Sequence, residues 1–249
     1  MSPERIIVDE AGDESLVGQH VARYEFAKQY VNGKRVVDIA CGTGYGSAIL
    51  LQGQPREVVG IDASAEAIKY AQDHYAAAGI IFKRGSIETL LQCKDVDLVV
   101  SFETIEHLQT SELFLAAVAS LIGKHGMAIL STPVRQRGTL LDKPDNPFHI
   151  REWSIPEFRM HLSEYFDGCE ILYQYVYRKR WFPGSRRLAR SLTRFMYAEG
   201  SRRFEDFVVR DSPPRISRRL IAEGYIVAVC RGAVGKNNPR VASDAGQMV

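Results

Sequence analysis

Val36-Val37-Asp38-Ile39-Ala40-Cys41-Gly42-Thr43-Gly44-Tyr45-Gly46-Ser47 is a β-branched run that stops at three glycines spaced two apart. The apolar run predicts a strand, the glycines a tight turn, and residues 47–52 a helix. Glycine permits the left-handed backbone angles of such a turn and lets a ligand approach the main chain closely. Asp62 closes the next apolar run, Val58-Val59-Gly60-Ile61, 20 residues after Gly42. A carboxylate there can accept hydrogen bonds from both ribose hydroxyls of a nucleoside. The glycines depart from the dinucleotide spacing G-x-G-x-x-G, and no Gly-Lys-Ser/Thr follows, so a triphosphate-cradling loop is excluded.

Outward from this unit the same rhythm continues. Apolar runs at Ile80-Ile81-Phe82, Val96-Asp97-Leu98-Val99-Val100 and Met127-Ala128-Ile129-Leu130 alternate with helical spacing over residues 65–78, 87–92 and 111–122. Strands alternating with helices, the strands continuously apolar, predict a parallel sheet covered on both faces. Residues 16–30 are weakly helical, within an N-terminal cap of 1–34. After Leu130 a polar loop over 133–152 carries Pro133, Pro144 and Pro147, and Ser154 with Glu157 three residues on predicts a capped helix start. Two further strands are expected at 171–177 and 225–230. A single domain therefore spans 1–231, and the Gly/Asn/Ser-rich tail, 232–249, is expected to be disordered.

With 249 residues, 45% hydrophobic, 25% charged and a net charge of +2, the chain has a globular composition, which excludes collagen-like and wholly disordered classes. Cys41, Cys93, Cys169 and Cys230 form no C-x-x-C pair, which argues against a disulfide scaffold or a thiol-rich zinc site. No apolar run approaches the roughly 18 residues of a membrane span, and acids stand where a signal peptide needs apolar residues. A cytoplasmic protein is the expectation.

A second motif follows the fourth strand, in Phe102-Glu103-Thr104-Ile105-Glu106-His107. Ligands of open α/β sheets bind at the carboxyl ends of strands. On a helical turn Glu103 and Glu106 share a face, with His107 beside them. Two carboxylates and an imidazole suit a divalent cation, and His149 in the loop after the fifth strand completes a set of four: Glu103, Glu106, His107 and His149. The bland alternative is a solvated helix start with acids at the positive dipole end. His20, His74, His125 and His161 have no partners at ligand spacing, and Cys41 reads as a small buried filler.

Asp38-x-x-Cys41-Gly42-x-Gly44 with Asp62 resembles the class I S-adenosylmethionine-dependent methyltransferases, over about residues 20 to 165. The resemblance implies an α/β, Rossmann-like doubly wound sheet of seven mostly parallel strands, the last antiparallel. It implies S-adenosyl-L-methionine as cofactor, held by Arg23, Asp38, Gly42, Thr43, Gly44, Asp62, Ala63, Ser86, Ile87 and Phe102. Gly42 and Gly44 would lie at the methionine part, Asp62 at the ribose, Ser86 and Ile87 at the adenine, and Arg23 at the cofactor carboxylate. The Glu-x-x-Glu-His pattern with a distant His is similar to two metal-dependent branches, the ubiquinone-pathway O-methyltransferases and the enzymes methylating the terminal 2′-hydroxyl of small RNAs. By that likeness the four ligands would hold Mg²⁺ or Mn²⁺. Methyltransferases of bacterial glycan and secondary-metabolite clusters share Phe-Glu-Thr-Ile-Glu-His without an established metal. Acceptor deprotonation by metal, or by His107 or His149 as base with Glu106 beside them, both stay open.

Residues 178–219 hold twelve Arg and Lys179 against four acids, a net +9 that leaves −7 elsewhere. Arg187, Arg190 and Arg194 share one helical face, Leu188, Leu192 and Phe195 another, which predicts a basic helical insertion between the last two strands. It reads either as a solvated amphipathic cap, packed on the core or on the second subunit of a homodimer, or as a substrate lid for an anionic group. The expected partner is a small-molecule hydroxyl acceptor, phosphorylated or otherwise anionic: a nucleotide- or lipid-linked sugar, or a secondary metabolite. RNA is less favoured, and peripheral membrane contact is the further use of such a patch. The alternative from another class, a non-catalytic nucleoside- or membrane-surface-binding module, is opposed by the intact Asp38, Gly42, Gly44 and Asp62 beside the Glu/His cluster.

Overall fold

Alternation within each apolar run decides which helices it meets. In the computed structural model, β1 (Arg35–Ile39) turns Val36 to one core and Val37 and Ile39 to the other. β2 (Glu57–Asp62), β4 (Leu98–Phe102) and β5 (Met127–Pro133) divide their side chains in the same way. On one face lie α1 (Glu14–Lys28), α2 (Tyr45–Leu51) and α3 (Ala65–Tyr75), contributing Tyr24, Ala27, Leu50, Ile68 and Ala71. On the other lie α4 (Ile87–Leu90), α5 (Ser111–Ile122) and α6 (Ile155–Ser163), contributing Leu90, Phe114, Leu115, Phe158 and Leu162. Each fully buried Val, Leu, Ile or Phe stabilises the fold by about 1.5–3 kcal/mol, so both faces of the central strands need covering. The structure describes residues 14–134, 144, 146–179, 207–208 and 220–234.

The remaining strands are β3 (Ile80–Arg84), β6 (Phe166–Lys179), β7 (Phe207–Val208) and β8 (Leu220–Ala233), and the sheet order is β3-β2-β1-β4-β5-β8-β6-β7. The first five strands pair in parallel, while β8 is antiparallel to both β5 and β6. This is the expected seven-strand arrangement with one addition: the two-residue edge strand β7, pairing Val208 with Tyr173. β7 falls inside the segment read as a helical insertion. The faces built from Arg187, Arg190, Arg194, Leu188, Leu192 and Phe195 lie outside the described residues, as do 1–13 of the cap and the tail from 235.

β6 and β8 are 14 residues each, longer than the expected 171–177 and 225–230. Asp167, Gly168, Glu223 and Gly224 break the apolar pattern, yet the two strands supply each other's hydrogen-bond ladder. β8 runs to Ala233, two residues past the expected domain end, and Ala233 donates its N–H to the Gly123 carbonyl at 2.8 Å. Ser154 starts α6 as expected, its N–H donating to the Glu157 carboxylate at 2.8 Å. Strand order reverses between β1 and β4, and a crevice opens beyond the carboxyl ends of strands at such a reversal. Both sequence motifs leave the sheet there.

Candidate active site

Ala40 and Glu103, the residues that follow β1 and β4, both adopt positive φ, 57° and 52°. A left-handed non-glycine residue costs on the order of 1–3 kcal/mol and persists only where its surroundings impose it. The two strands flanking the reversal therefore both turn sharply into the crevice.

The glycine loop is tied to its acidic partner directly. Gly42 donates its N–H to Asp62 Oδ2 at 2.9 Å, and Ser64 donates to Oδ1 at 2.8 Å. Each carboxylate oxygen keeps a further lone pair. Gly44 sits at φ 89°, where a Cβ would also lie 2.6 Å from the Ala71 Cβ. A Cβ on Gly46 would lie 2.0 Å from the Tyr24 ring. Asp38 is fully buried and ties β1 to two helices, accepting from Tyr24 Oη at 3.1 Å and Ser47 Oγ at 2.5 Å. Burial pushes its carboxyl up to about 7, and the bonds from Ser47 and Tyr24 oppose that rise.

The other residues expected at the cofactor are distributed around this loop. Thr43 is buried within it, and Phe102 is buried with its ring 4.9 Å from that of Tyr24. Ala63 is exposed, its carbonyl accepting from Arg84 Nε at 3.2 Å. Ser86 is exposed at the start of α4, and Ile87 is the helix's first residue. Cys41 is buried and its thiol is pushed well up by burial, which suits a filler and not a nucleophile.

Arg23 has buried partners of its own. It is 1% exposed, donates from Nη1 to Gln174 Oε1 at 2.7 Å and lies 4.1 Å over the Tyr225 ring. Its Nη2 is 3.8 Å from Glu103 Oε1, which also accepts from the Ser131 hydroxyl at 2.6 Å. The guanidinium expected at the cofactor carboxylate also faces the charge of Glu103, and its Nε has no hydrogen-bond partner among the described residues.

Glu106 stands in the 3-10 turn Ile105–His107 with no exposure, its carboxylate beside the Thr132 hydroxyl. Burial first, and then the Glu103 charge, push its carboxyl well above the usual range. Its carbonyl accepts from the N–H groups of Ile150 at 2.8 Å and Arg151 at 3.2 Å, which pins the His149 loop against the turn. His107 Nδ1 lies 3.0 Å from the Phe148 carbonyl. A carbonyl only accepts, so Nδ1 carries the proton. In the neutral ring Nε2 then offers a lone pair, 4.0 Å from Glu106 Oε1. The His149 ring meets the His107 ring edge-on at 4.9 Å.

One donor atom each from Glu106, His107 and His149 lie within 4.8 Å of one another. Three of the four expected ligands therefore come together, and Glu103 does not join them. Its left-handed backbone and the pull of Arg23 and Ser131 hold its carboxylate apart. A buried carboxylate with two imidazoles is a donor set that fits a borderline divalent cation. The same groups can take a proton from a hydroxyl.

Sequence reading missed Tyr24, Ser131, Gln174 and Tyr225. Gln174 is 151 residues from Arg23, and no local spacing links them. His20 also has an unforeseen partner, its Nδ1 lying 2.6 Å from Tyr45 Oη, and burial and Arg23 push its pKa well down. His161 packs as expected, stacked on Trp153 and 3.2 Å from Ser111 Oγ. Among the described residues no helix is long and apolar enough to cross a membrane.

Comparison with known proteins agrees with this geometry. The profile of the family described as "Methyltransferase domain" matches residues 31–164. A probable S-adenosylmethionine-dependent methyltransferase of Mycolicibacterium smegmatis is 30% identical over 159 residues, covering 63% of this chain and 61% of that protein. A ubiquinone biosynthesis O-methyltransferase of Sinorhizobium medicae is 29% identical over 122 residues, 47% of this chain and 48% of that protein. The chain thus spans less than two thirds of the length of these curated relatives. Among solved structures, the YcgJ protein of Bacillus subtilis has a TM-score of 0.60 at 17% identity, covering 87% of this chain and all of that one. The [4+2]-cyclase SpnF has a TM-score of 0.56 at 14% identity, covering 87% and 83%. These two likenesses show the fold alone, and a cyclase among them illustrates that the fold does not set the chemistry. The family profile covers more than half of the chain, and the glycine loop and Asp62 stand in register at the strand reversal: the chain belongs to the class I S-adenosylmethionine-dependent methyltransferase family.

Proposed function

We propose that this chain is an S-adenosylmethionine-dependent O-methyltransferase acting on a hydroxyl of a small molecule. The observation that carries this reading is the Glu106, His107 and His149 group, set after β4 and β5 beside the glycine loop. S-adenosylmethionine, when bound, supplies an electrophilic methyl group. Gly42, Thr43 and Gly44 would hold its methionine part, Asp62 the ribose, Ala63, Ser86 and Ile87 the adenine, with Phe102 lining the site by its backbone. Asp38 supports the loop through Tyr24 and Ser47, and Arg23 supports Glu103.

Methyl transfer is an in-line displacement, so the protein's main work is to position the acceptor and take its proton. The Nε2 lone pair of His107, or that of His149 once the hydroxyl takes the place of the Asn146 amide, accepts that proton and later releases it to solvent. Mg²⁺ or Mn²⁺ held by Glu106, His107 and His149 would make the hydroxyl more acidic. Relatives named ubiquinone biosynthesis O-methyltransferase support a hydroxyl acceptor. The +9 segment between β6 and β8 in sequence favours an anionic one, a nucleotide- or lipid-linked sugar or an acidic secondary metabolite.

Isothermal titration with S-adenosylmethionine, with chelator and with Mn²⁺, tests the cofactor. Methyl transfer to a panel of nucleotide sugars, phenols and short RNA tests the acceptor. Replacing Glu106 and His107 together by alanine abolishes turnover and leaves cofactor affinity within about threefold. Full turnover in that double variant overturns the assignment, and methylation of RNA alone moves it to a nucleic-acid acceptor.

A further inference from the structure

His149 makes two hydrogen bonds, one at each ring nitrogen. Nδ1 lies 2.6 Å from Glu152 Oε1, and Nε2 lies 2.9 Å from Asn146 Nδ2. A chain of forced choices settles which nitrogen holds the proton. The Phe148 N–H can only donate, and it points at Asn146 Oδ1 at 3.0 Å. That bond turns the Asn146 amide so that its NH₂ faces His149. An NH₂ group donates, so Nε2 must accept, and in the neutral ring Nδ1 must carry the hydrogen. Nδ1–H then donates to the Glu152 carboxylate.

We propose that Glu152 is a positioning residue of this site: with the Asn146 amide on Nε2, it holds His149 in the Nδ1–H tautomer and fixes the ring, so that an acceptor hydroxyl reaches the Nε2 lone pair by taking the place of the amide. The inference rests on the O-methyltransferase reading for its functional consequence, while the tautomer stands on the geometry alone. Neutral imidazole in water prefers the opposite, Nε2–H form, so the assignment is not the default. The Asn146 amide occupies the Nε2 lone pair in this structure, so a hydroxyl donating there would displace it. The loop carrying this pair is anchored at both ends. Ile150 and Arg151 donate to the Glu106 carbonyl, and Trp153, one residue past Glu152, is 1% exposed in the core. Glu152 therefore works from a fixed backbone, and the side chains of His149 and Glu152 are themselves mostly buried, at 10% and 17% exposure. A carboxylate or carbonyl behind an imidazole is the general way to set its tautomer and orientation, and losing such a partner costs about 10–100-fold in function.

Long-range proton–nitrogen spectra of the ¹⁵N-histidine-labelled full chain at pH 8 read the tautomer directly, with His149→Asn to assign the signal. The expected wild-type result is Nδ1–H. Glu152→Gln and Asn146→Ala, each of which keeps an acceptor at Nδ1, retain it, and Asn146→Ala combined with Glu152→Leu shifts the ring toward Nε2–H. On the best hydroxyl acceptor of the panel, Glu152→Leu lowers kcat about 10–100-fold with the S-adenosylmethionine KM unchanged, and Glu152→Gln restores most of it. An Nε2–H ring in the wild type, or a wild-type kcat in Glu152→Leu, overturns the proposal. Should Glu152→Leu not fold, the wild-type and Glu152→Gln spectra decide. Absence of methyl transfer to every hydroxyl in the panel sinks the O-methyltransferase reading, and the wild-type spectrum still decides the Glu152 assignment.

Discussion

Arg23, buried in α1, places its guanidinium 3.8 Å from the carboxylate of Glu103 at the end of β4. The next residue, Tyr24, donates to Asp38 beneath the glycine loop. One turn of α1 therefore joins the glycine loop to the end of β4. Replacing Arg23 by Met leaves Glu103 without its counter-charge and Gln174 without its donor. Because removing one member of a buried pair strands the other, the expected loss of stability is about 3 kcal/mol in urea unfolding. Affinity for S-adenosylmethionine should change less than about threefold in calorimetry, since the charge is spent on Glu103; a loss above about thirtyfold in the folded variant would place Arg23 at the cofactor instead.

Asp38 sets a pH dependence with a definite sign. Its folded pKa is raised from 3.8 to about 7, so the folded state holds the proton more tightly than the unfolded chain. Its contribution is fully present below the unfolded value and is lost as pH rises through about 7. Relative to Asp38→Asn, wild-type stability should fall by on the order of 4 kcal/mol between pH 4 and pH 8. Urea unfolding of both proteins across that window checks it, and parallel curves would disprove it.

Gly46→Ala drives a methyl into the Tyr24 ring, which is held from the other side by Phe102 and by its bond to Asp38. Overpacking of this kind costs about 1–3 kcal/mol. Here it also displaces the helix that closes the loop. The expected outcome is a lowered melting temperature together with at least a tenfold loss of S-adenosylmethionine affinity. Intact binding in Gly46→Ala would show that α1 and the loop move independently.

Glu106→Gln should separate stability from activity. The carboxylate is fully buried, and burial and Glu103 raise its pKa against the opposing pull of the backbone, Thr132 and Arg23. Its charged form therefore opposes folding as pH rises above the usual carboxylate range. With chelator present at pH 8, Glu106→Gln should be more stable than wild type by on the order of 1–3 kcal/mol, and should have lost methyl transfer. Added Mn²⁺ should stabilise wild type alone. An unchanged or lowered stability in chelator would contradict the raised pKa of this carboxylate.

Much of the fold was readable along the chain because its signals are local. Val36, Val37 and Ile39 form the continuous apolar run of a strand covered on both faces and alternate between the two cores, and the helix bounds at Ser111 and Ile122 are those that the spacing predicts. The ends of β6 and β8 were not readable, because the partner strand extends a ladder through residues that lack the apolar alternation. The same division holds in the site. Gly42 and Asp62 announce one another by register, since they end adjacent parallel strands. Glu103 and Arg23 do not, because α1 precedes the sheet and its packing angle decides where Arg23 reaches.

The sequence by itself determined the strand–glycine–helix unit, the acid that closes β2 and the presence of two acids and two histidines at one sheet edge. These follow from periodicity, from the conformational freedom of glycine and from the topology of parallel strands. Only the tertiary structure decided which of those groups act together. A left-handed turn at Glu103 and a guanidinium from α1 separate one acid from the set, and the Asn146 amide with the Glu152 carboxylate sets the tautomer of one histidine. Such choices depend on distances between side chains far apart in sequence, and on hydrogen-bond donors that only folding brings within reach.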